Sequence, residues 1–97
     1  MKIESYAMSN NEVLQALRMF IDDKWDDGKF HLISTESILE DGGDIAGFVR
    51  SMGNSEVPYD ILVQMERFAM KFDNEWIVYV LYMEGEVCGI VAFSDWD

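Results

Sequence analysis

The 97 residues carry nineteen acids against seven bases, a formal charge of −12, with 49% hydrophobic and 13% aromatic residues. That length has room for one domain, residues 1–97, around one core, and its aromatic content is too high for a disordered acidic chain. The sign of the charge argues against direct binding to nucleic acid or to an anionic membrane, and the single cysteine, Cys88, excludes an internal disulfide and gives no zinc-site spacing.

In chain order, Ile3 to Ala7 reads as a short strand. Ser9-Asn-Asn-Glu12 has the spacing of a capping box, in which the hydroxyl caps a free amide and the carboxylate reaches back. Behind it Val13, Leu14, Leu17, Phe20, Ile21 and Trp25 recur on one face, which predicts a helix to about Lys24. Asp26-Asp27-Gly28 stops it, with Gly28 suited to a left-handed terminus. Phe30 to Ile33 reads as a second short strand, followed by a turn of helix near Ser37 to Glu40. Gly42-Gly43 separates this from a helical segment with Ile45, Phe48, Val49 and Met52, ended by Gly53. Pro58 suits the first turn of a strong helix whose stripe is Ile61, Leu62, Met65, Phe68, Ala69 and Phe72.

Trp76 to Met83 is β-branched and aromatic on both faces, as a covered strand should be. Glu84-Gly85 is a tight connection, and Val87 to Phe93 returns as the partner strand. The expected fold is α+β: about three helices packed on one face of a small antiparallel sheet, with a C-terminal β-hairpin. No signal-peptide or lipidation pattern is legible, and the longest apolar run, Ile77 to Met83, is too short to span a bilayer. A cytoplasmic location is therefore expected.

The charge falls in blocks. Residues 22–44 hold Asp22, Asp23, Asp26, Asp27, Glu36, Glu40, Asp41 and Asp44 against Lys24 and Lys29, a net of −6. Residues 72–97 hold Asp73, Glu75, Glu84, Glu86, Asp95 and Asp97 with no base, again −6, while 1–21 and 45–71 are each balanced. Concentrating like charge costs self-repulsion, and attraction of an oppositely charged partner is a reason to bear it. Trp25 among four aspartates and Trp96 between Asp95 and Asp97 combine an indole with carboxylates, the make-up of a contact for a basic surface. The alternative for Trp25 is a place on the core, which its helical stripe favours.

Catalytic chemistry finds little support. Asp22 to Gly28 resembles part of a calcium loop with Asp23 first and Asp27 fifth, but Trp25 and Ser34 fall where oxygen ligands are required. His31, the sole histidine, has no nucleophile pattern beside it and reads as a half-exposed strand residue. Cys88 lies in an apolar run, where a small buried hydrophobe is usual. No cofactor or metal is implied.

The expectation is therefore a non-enzymatic acidic inhibitor that covers the active site of a basic enzyme. In size, charge and composition the chain resembles the immunity proteins that neutralise bacterial nuclease toxins, with no family motif to carry residues over. The alternative is a phage- or plasmid-encoded nucleic-acid mimic acting on a defence nuclease or restriction system. The expected partner-binding residues are Asp22, Asp23, Trp25, Asp26, Asp27, Glu36, Glu40, Asp41, Asp44, Glu84, Glu86, Asp95, Trp96 and Asp97, with the 22–44 block favoured.

Overall fold

A computed structural model describes residues 1–51 and 57–94. Its elements are β1 (Lys2–Tyr6), α1 (Asn10–Ile21), β2 (Phe30–Ser34), α2 (Thr35–Glu40), α3 (Ile45–Ser51), α4 (Tyr59–Met70), β3 (Ile77–Met83) and β4 (Glu86–Ser94). The four strands form one antiparallel sheet in the order β1-β4-β3-β2. The fold is α+β and ends its described part in the expected hairpin. Among the described residues no helix is long and apolar enough to cross a membrane.

The helices divide between the two faces of the sheet, where the sequence reading puts them on one. Strand side chains alternate, so a strand apolar at every position needs two covers. Val78, Val80, Ile90 and Ala92 pack under α2, α3 and α4 with Ile38, Ile45, Val49, Leu62, Met65 and Phe68. Tyr79, Leu81, Val91 and Phe93 pack on the opposite face, with Ala16 and Met19 of α1 and with Leu32. Phe20 stacks on Phe93 at 4.5 Å and meets Tyr79 edge-on at 6.0 Å. Such aromatic pairs add about 0.5–1.5 kcal/mol each beyond the area they bury.

The capping box forms as expected: the Glu12 amide donates to Ser9 Oγ, and the Ser9 amide donates to Glu12 Oε1 at 2.7 Å. The helix ends earlier than Lys24, however. Asp23 takes φ 55°, and the amides of Asp23 and Lys24 donate back to the carbonyls of Phe20 and Met19. This closes the helix by the usual left-handed route with Asp23 where glycine is commonest. Gly28, at φ 91°, serves the following turn instead. The buried stripe of α1 centres on Ala16 and Met19; Leu14 and Ile21, expected on that stripe, are 50% and 65% exposed.

In α4 the expected stripe holds, with Leu62, Met65 and Phe68 buried. Pro58 is its N-cap rather than its first turn. Ile45 and Val49 anchor α3, whose expected end at Met52 and Gly53 lies outside the described residues.

A bulge in the central hairpin organises one end of the molecule. Leu81 faces Gly89 but Tyr82 faces Val87, so Cys88 is the extra residue. The extra residue brings Cys88 onto the α1 face beside Gly89. There the end of β1 crosses so closely that a Cβ on Gly89 would meet Met8 Cγ and lie 2.7 Å from the Tyr6 carbonyl oxygen and 2.9 Å from that of Ala7. Two of these obstacles are backbone and cannot swing aside. Gly89→Ala should cost about 3 kcal/mol or more, the upper range for overpacking. At about 4–8 °C per kcal/mol for a chain of this size, calorimetry should record a fall in melting temperature of roughly 12 °C or more.

Candidate partner-binding site

The two acidic blocks of the sequence are redistributed by the fold to two ends of the sheet. At the end where β3 begins lie three concavities, each of which shares one lining residue with each of the others. A groove of about 550 Å³ lies between α2 and the α4–β3 connection, with Glu36, Leu39, Glu40, Phe72, Asp73 and Trp76 among its lining residues. Ile77 lines this groove and also a second hollow of about 530 Å³ on the α1 side, with Met1, Phe20, Ile21, Asp23, Trp25 and Tyr79. Trp25 and Ser34 link these through a smaller hollow along β2.

Five large apolar side chains are left exposed along this belt: Met1, Ile21, Trp25, Leu39 and Ile77. A contiguous apolar patch with a polar rim is the surface signature of an interaction site, whereas isolated exposed apolar residues are ordinary. No lysine or arginine lines any of the three hollows, and the acids Asp23, Glu36, Glu40 and Asp73 do. Among the described residues the carboxylates of Asp22, Glu36 and Glu40 have no hydrogen bond or ion pair. Burial, with the added charge of Asp23, pushes the Tyr79 hydroxyl pKa above its ordinary value.

The other end, around the β3–β4 turn, has a different character. Glu84 and Gly85 take φ 47° and 88°, both positive, as a two-residue hairpin turn requires. Asp26 and Asp27 lie towards this end, since Phe30 pairs with Met83 and the Asp27 amide donates to the Phe30 carbonyl. The run Asp22 to Asp27, read as one cluster, is thus divided between the two ends.

Here Asp26, Asp27 and Glu12 are engaged in holding the fold, whereas Glu84 and Glu86 are exposed at the turn and, among the described residues, have no side-chain hydrogen bond or ion pair. Asp27 accepts from the Phe30 amide at 2.7 Å, the Lys29 amide at 3.1 Å and the Gln15 side chain. Asp26 accepts from the Gly28 amide at 2.7 Å and lies 3.5 Å from His31 Nδ1. Partial burial pulls the Glu12 carboxyl upwards, but hydrogen bonds from the Ser9 amide, the Cys88 thiol and the Ser9 hydroxyl outweigh it and leave the pKa below the usual value. Burial, the Glu12 contact and the charges of Glu12 and Glu86 push the Cys88 thiol up to about 12. A thiol so disposed is nucleophilically inert at neutral pH.

Of the remaining expected residues, Asp44 caps α3 by accepting from the Gly47 amide at 2.5 Å, and with Asp41 it lines a separate hollow beside Phe48. Asp95, Trp96 and Asp97 lie outside the described residues. Trp25, assigned by its spacing to the stripe of α1, is past the helix end and 50% exposed, with its ring 5.4 Å from Tyr79. Ile77, Leu39, Phe72, Trp76 and Asp73 are absent from the expected set. Asp73 was visible in the unbalanced 72–97 block, whereas the exposure of Ile77 at the head of an otherwise buried strand has no sequence signal.

Comparison with protein-family models, with curated proteins and with solved structures finds no match.

The hydrogen bonds to Asp27, first that of the Phe30 amide, hold its carboxyl below the usual range against a small desolvation that acts the other way. A depressed folded pKa contributes stability that is present above the unfolded value, about 3.9, and is lost as pH falls through the folded one. Asp27→Ala should therefore destabilise the protein by about 0.5–1 kcal/mol at pH 7, as loss of an exposed turn cap does. Urea titrations from pH 7 down to 2 should show that difference shrinking below about pH 4.

Proposed function

We propose that this chain is an acidic inhibitor protein that docks the open end of its sheet onto a basic enzyme, most concretely the cleft of a bacterial nuclease toxin in the cytoplasm. The observation that supports this is the joining of exposed apolar side chains, Trp25 and Ile77 at their centre, to a rim with carboxylates and no lysine or arginine among the lining residues. Nuclease clefts are lined with cations for phosphate. A rigid acidic surface fills such a cleft, excludes substrate and associates quickly because opposite fields steer the encounter. The apolar centre supplies desolvated area, which charge alone does not.

A nucleic-acid mimic fits this surface less well. A phosphate-like face needs carboxylates spread along an extended stretch, whereas here apolar residues occupy the middle and acids the margin. The reading assigns no catalytic role to His31 or Cys88.

The product of the adjacent reading frame is the partner to assay. Equimolar chain should abolish its nuclease activity. Ile77→Asp should weaken binding about thirtyfold, the scale of a central contact worth about 2 kcal/mol, with little change in melting temperature because Ile77 is 42% exposed. An adjacent product that is not a nuclease, or a nuclease left active by equimolar wild-type chain, contradicts the proposal.

A further inference from the structure

We infer that the groove between α2 and the α4–β3 connection is an arginine-accepting pocket, which receives one guanidinium side chain from the basic partner. This deepens the inhibitor reading and rests on it for the source of the arginine; the chemistry of the groove stands on its own residues.

The groove has an aromatic wall. Phe72 and Trp76 lie with ring centroids 4.8 Å apart at 42°, both only partly buried, and Leu39 and Ile77 flank the pair as exposed aliphatic edges. The Lys71 ammonium already stands 5.1 Å from the Phe72 centroid, which leaves Trp76 as the ring without a cation of the chain's own among the described residues. Carboxylates line the same groove. Glu36 and Glu40 are four apart on α2, hence neighbours on one helix face, and Asp73 comes from the connection after α4. The last turn of α2 holds no base to offset Glu40.

The identity of the cation follows from these two features together. A guanidinium is flat, delocalised and weakly hydrated, so it stacks on an aromatic face while its forked donors reach carboxylates at its edge. A lysine ammonium is compact and strongly hydrated and uses the wall poorly. Among the described residues no three His, Cys, Asp or Glu side chains converge closely enough to hold a metal ion. At about 550 Å³ the groove is within the range of ordinary ligand sites, with room for the side chain and the backbone that carries it.

The test uses capped Gly-Arg-Gly, with Gly-Lys-Gly and Gly-norleucine-Gly as controls, titrated into the ¹⁵N-labelled protein. The arginine peptide should give saturable shifts at the Trp76 indole N–H and at the amides of Glu36, Glu40 and Asp73, without matching shifts at Glu84 and Glu86. It should bind at least about threefold more tightly than the lysine peptide, and the norleucine peptide should not saturate. The triple variant Glu36→Gln, Glu40→Gln, Asp73→Asn, verified as folded by circular dichroism, should lose at least about tenfold in affinity for the arginine peptide. Arginine binding no tighter than norleucine, equal shifts at the hairpin tip, or unchanged affinity in the triple variant would overturn the pocket. Failure there with nuclease inhibition intact removes the pocket alone; saturable arginine binding in a chain that inhibits no nuclease keeps the pocket and removes the inhibitor reading.

Discussion

Val78, Val80, Ile90 and Ala92 on one face of the β3–β4 hairpin, and Tyr79, Leu81, Val91 and Phe93 on the other, must leave water together. A sheet of four strands cannot hide both faces by itself, so the chain has to supply a cover on each side. One amphipathic helix, α1, covers one face, and the α2–α4 group covers the other. Each fully buried side chain of this size contributes roughly 1.5–3 kcal/mol, which makes the hairpin the main source of stability and its registration critical. Beside the bulge at Cys88, the missing side chain at Gly89 leaves room for the backbone of Tyr6 and Ala7, where the chain leaves edge strand β1 close against β4.

Covering both faces leaves the two ends of the sheet as the remaining surfaces of distinct character. Near the hairpin turn, Asp26, Asp27 and Glu12 terminate turns and cap a helix, so their negative charge is balanced by backbone amides. At the other end, α1 closes early through Asp23, and Trp25 leaves the helix to lie half-exposed against Tyr79. Ile77 then begins β3 before the covering helices can shelter it. The open apolar end and its acidic rim thus arise from where the two covers stop.

Much of this architecture was legible because local and tertiary demands agree. The capping box at Ser9, the α4 stripe and the strongly apolar hairpin each point one way, and each forms. The end of α1 was misplaced because Asp23 adopts a backbone conformation usually left to glycine, so the nearest glycine, Gly28, drew the boundary outwards. The two-sided covering was implicit in a strand apolar on both faces, yet helix spacing alone does not tell which face a helix meets. Within the candidate site, sequence separation misleads: Asp22 and Asp27 are neighbours in the chain but turn to opposite ends, whereas Glu40 and Asp73 line one groove. Acids that cap turns and acids that face solvent look identical in a list of residues.

The central claim is that the open end of the sheet, and not the hairpin tip, touches the partner. Association and dissociation rates with the proposed nuclease partner, measured across a salt series, separate the two. Two variants suffice: one with Asp23, Glu36, Glu40 and Asp73 made amides, the other with Glu84→Gln and Glu86→Gln. Charges at a contact act mainly on dissociation, and remote charges act on steering, which salt screens over about 10 Å at 0.1 M. The account predicts that the open-end variant dissociates at least about tenfold faster, while the tip variant changes only the low-salt association rate. Faster dissociation in the tip variant, with the open-end variant unchanged, would contradict it.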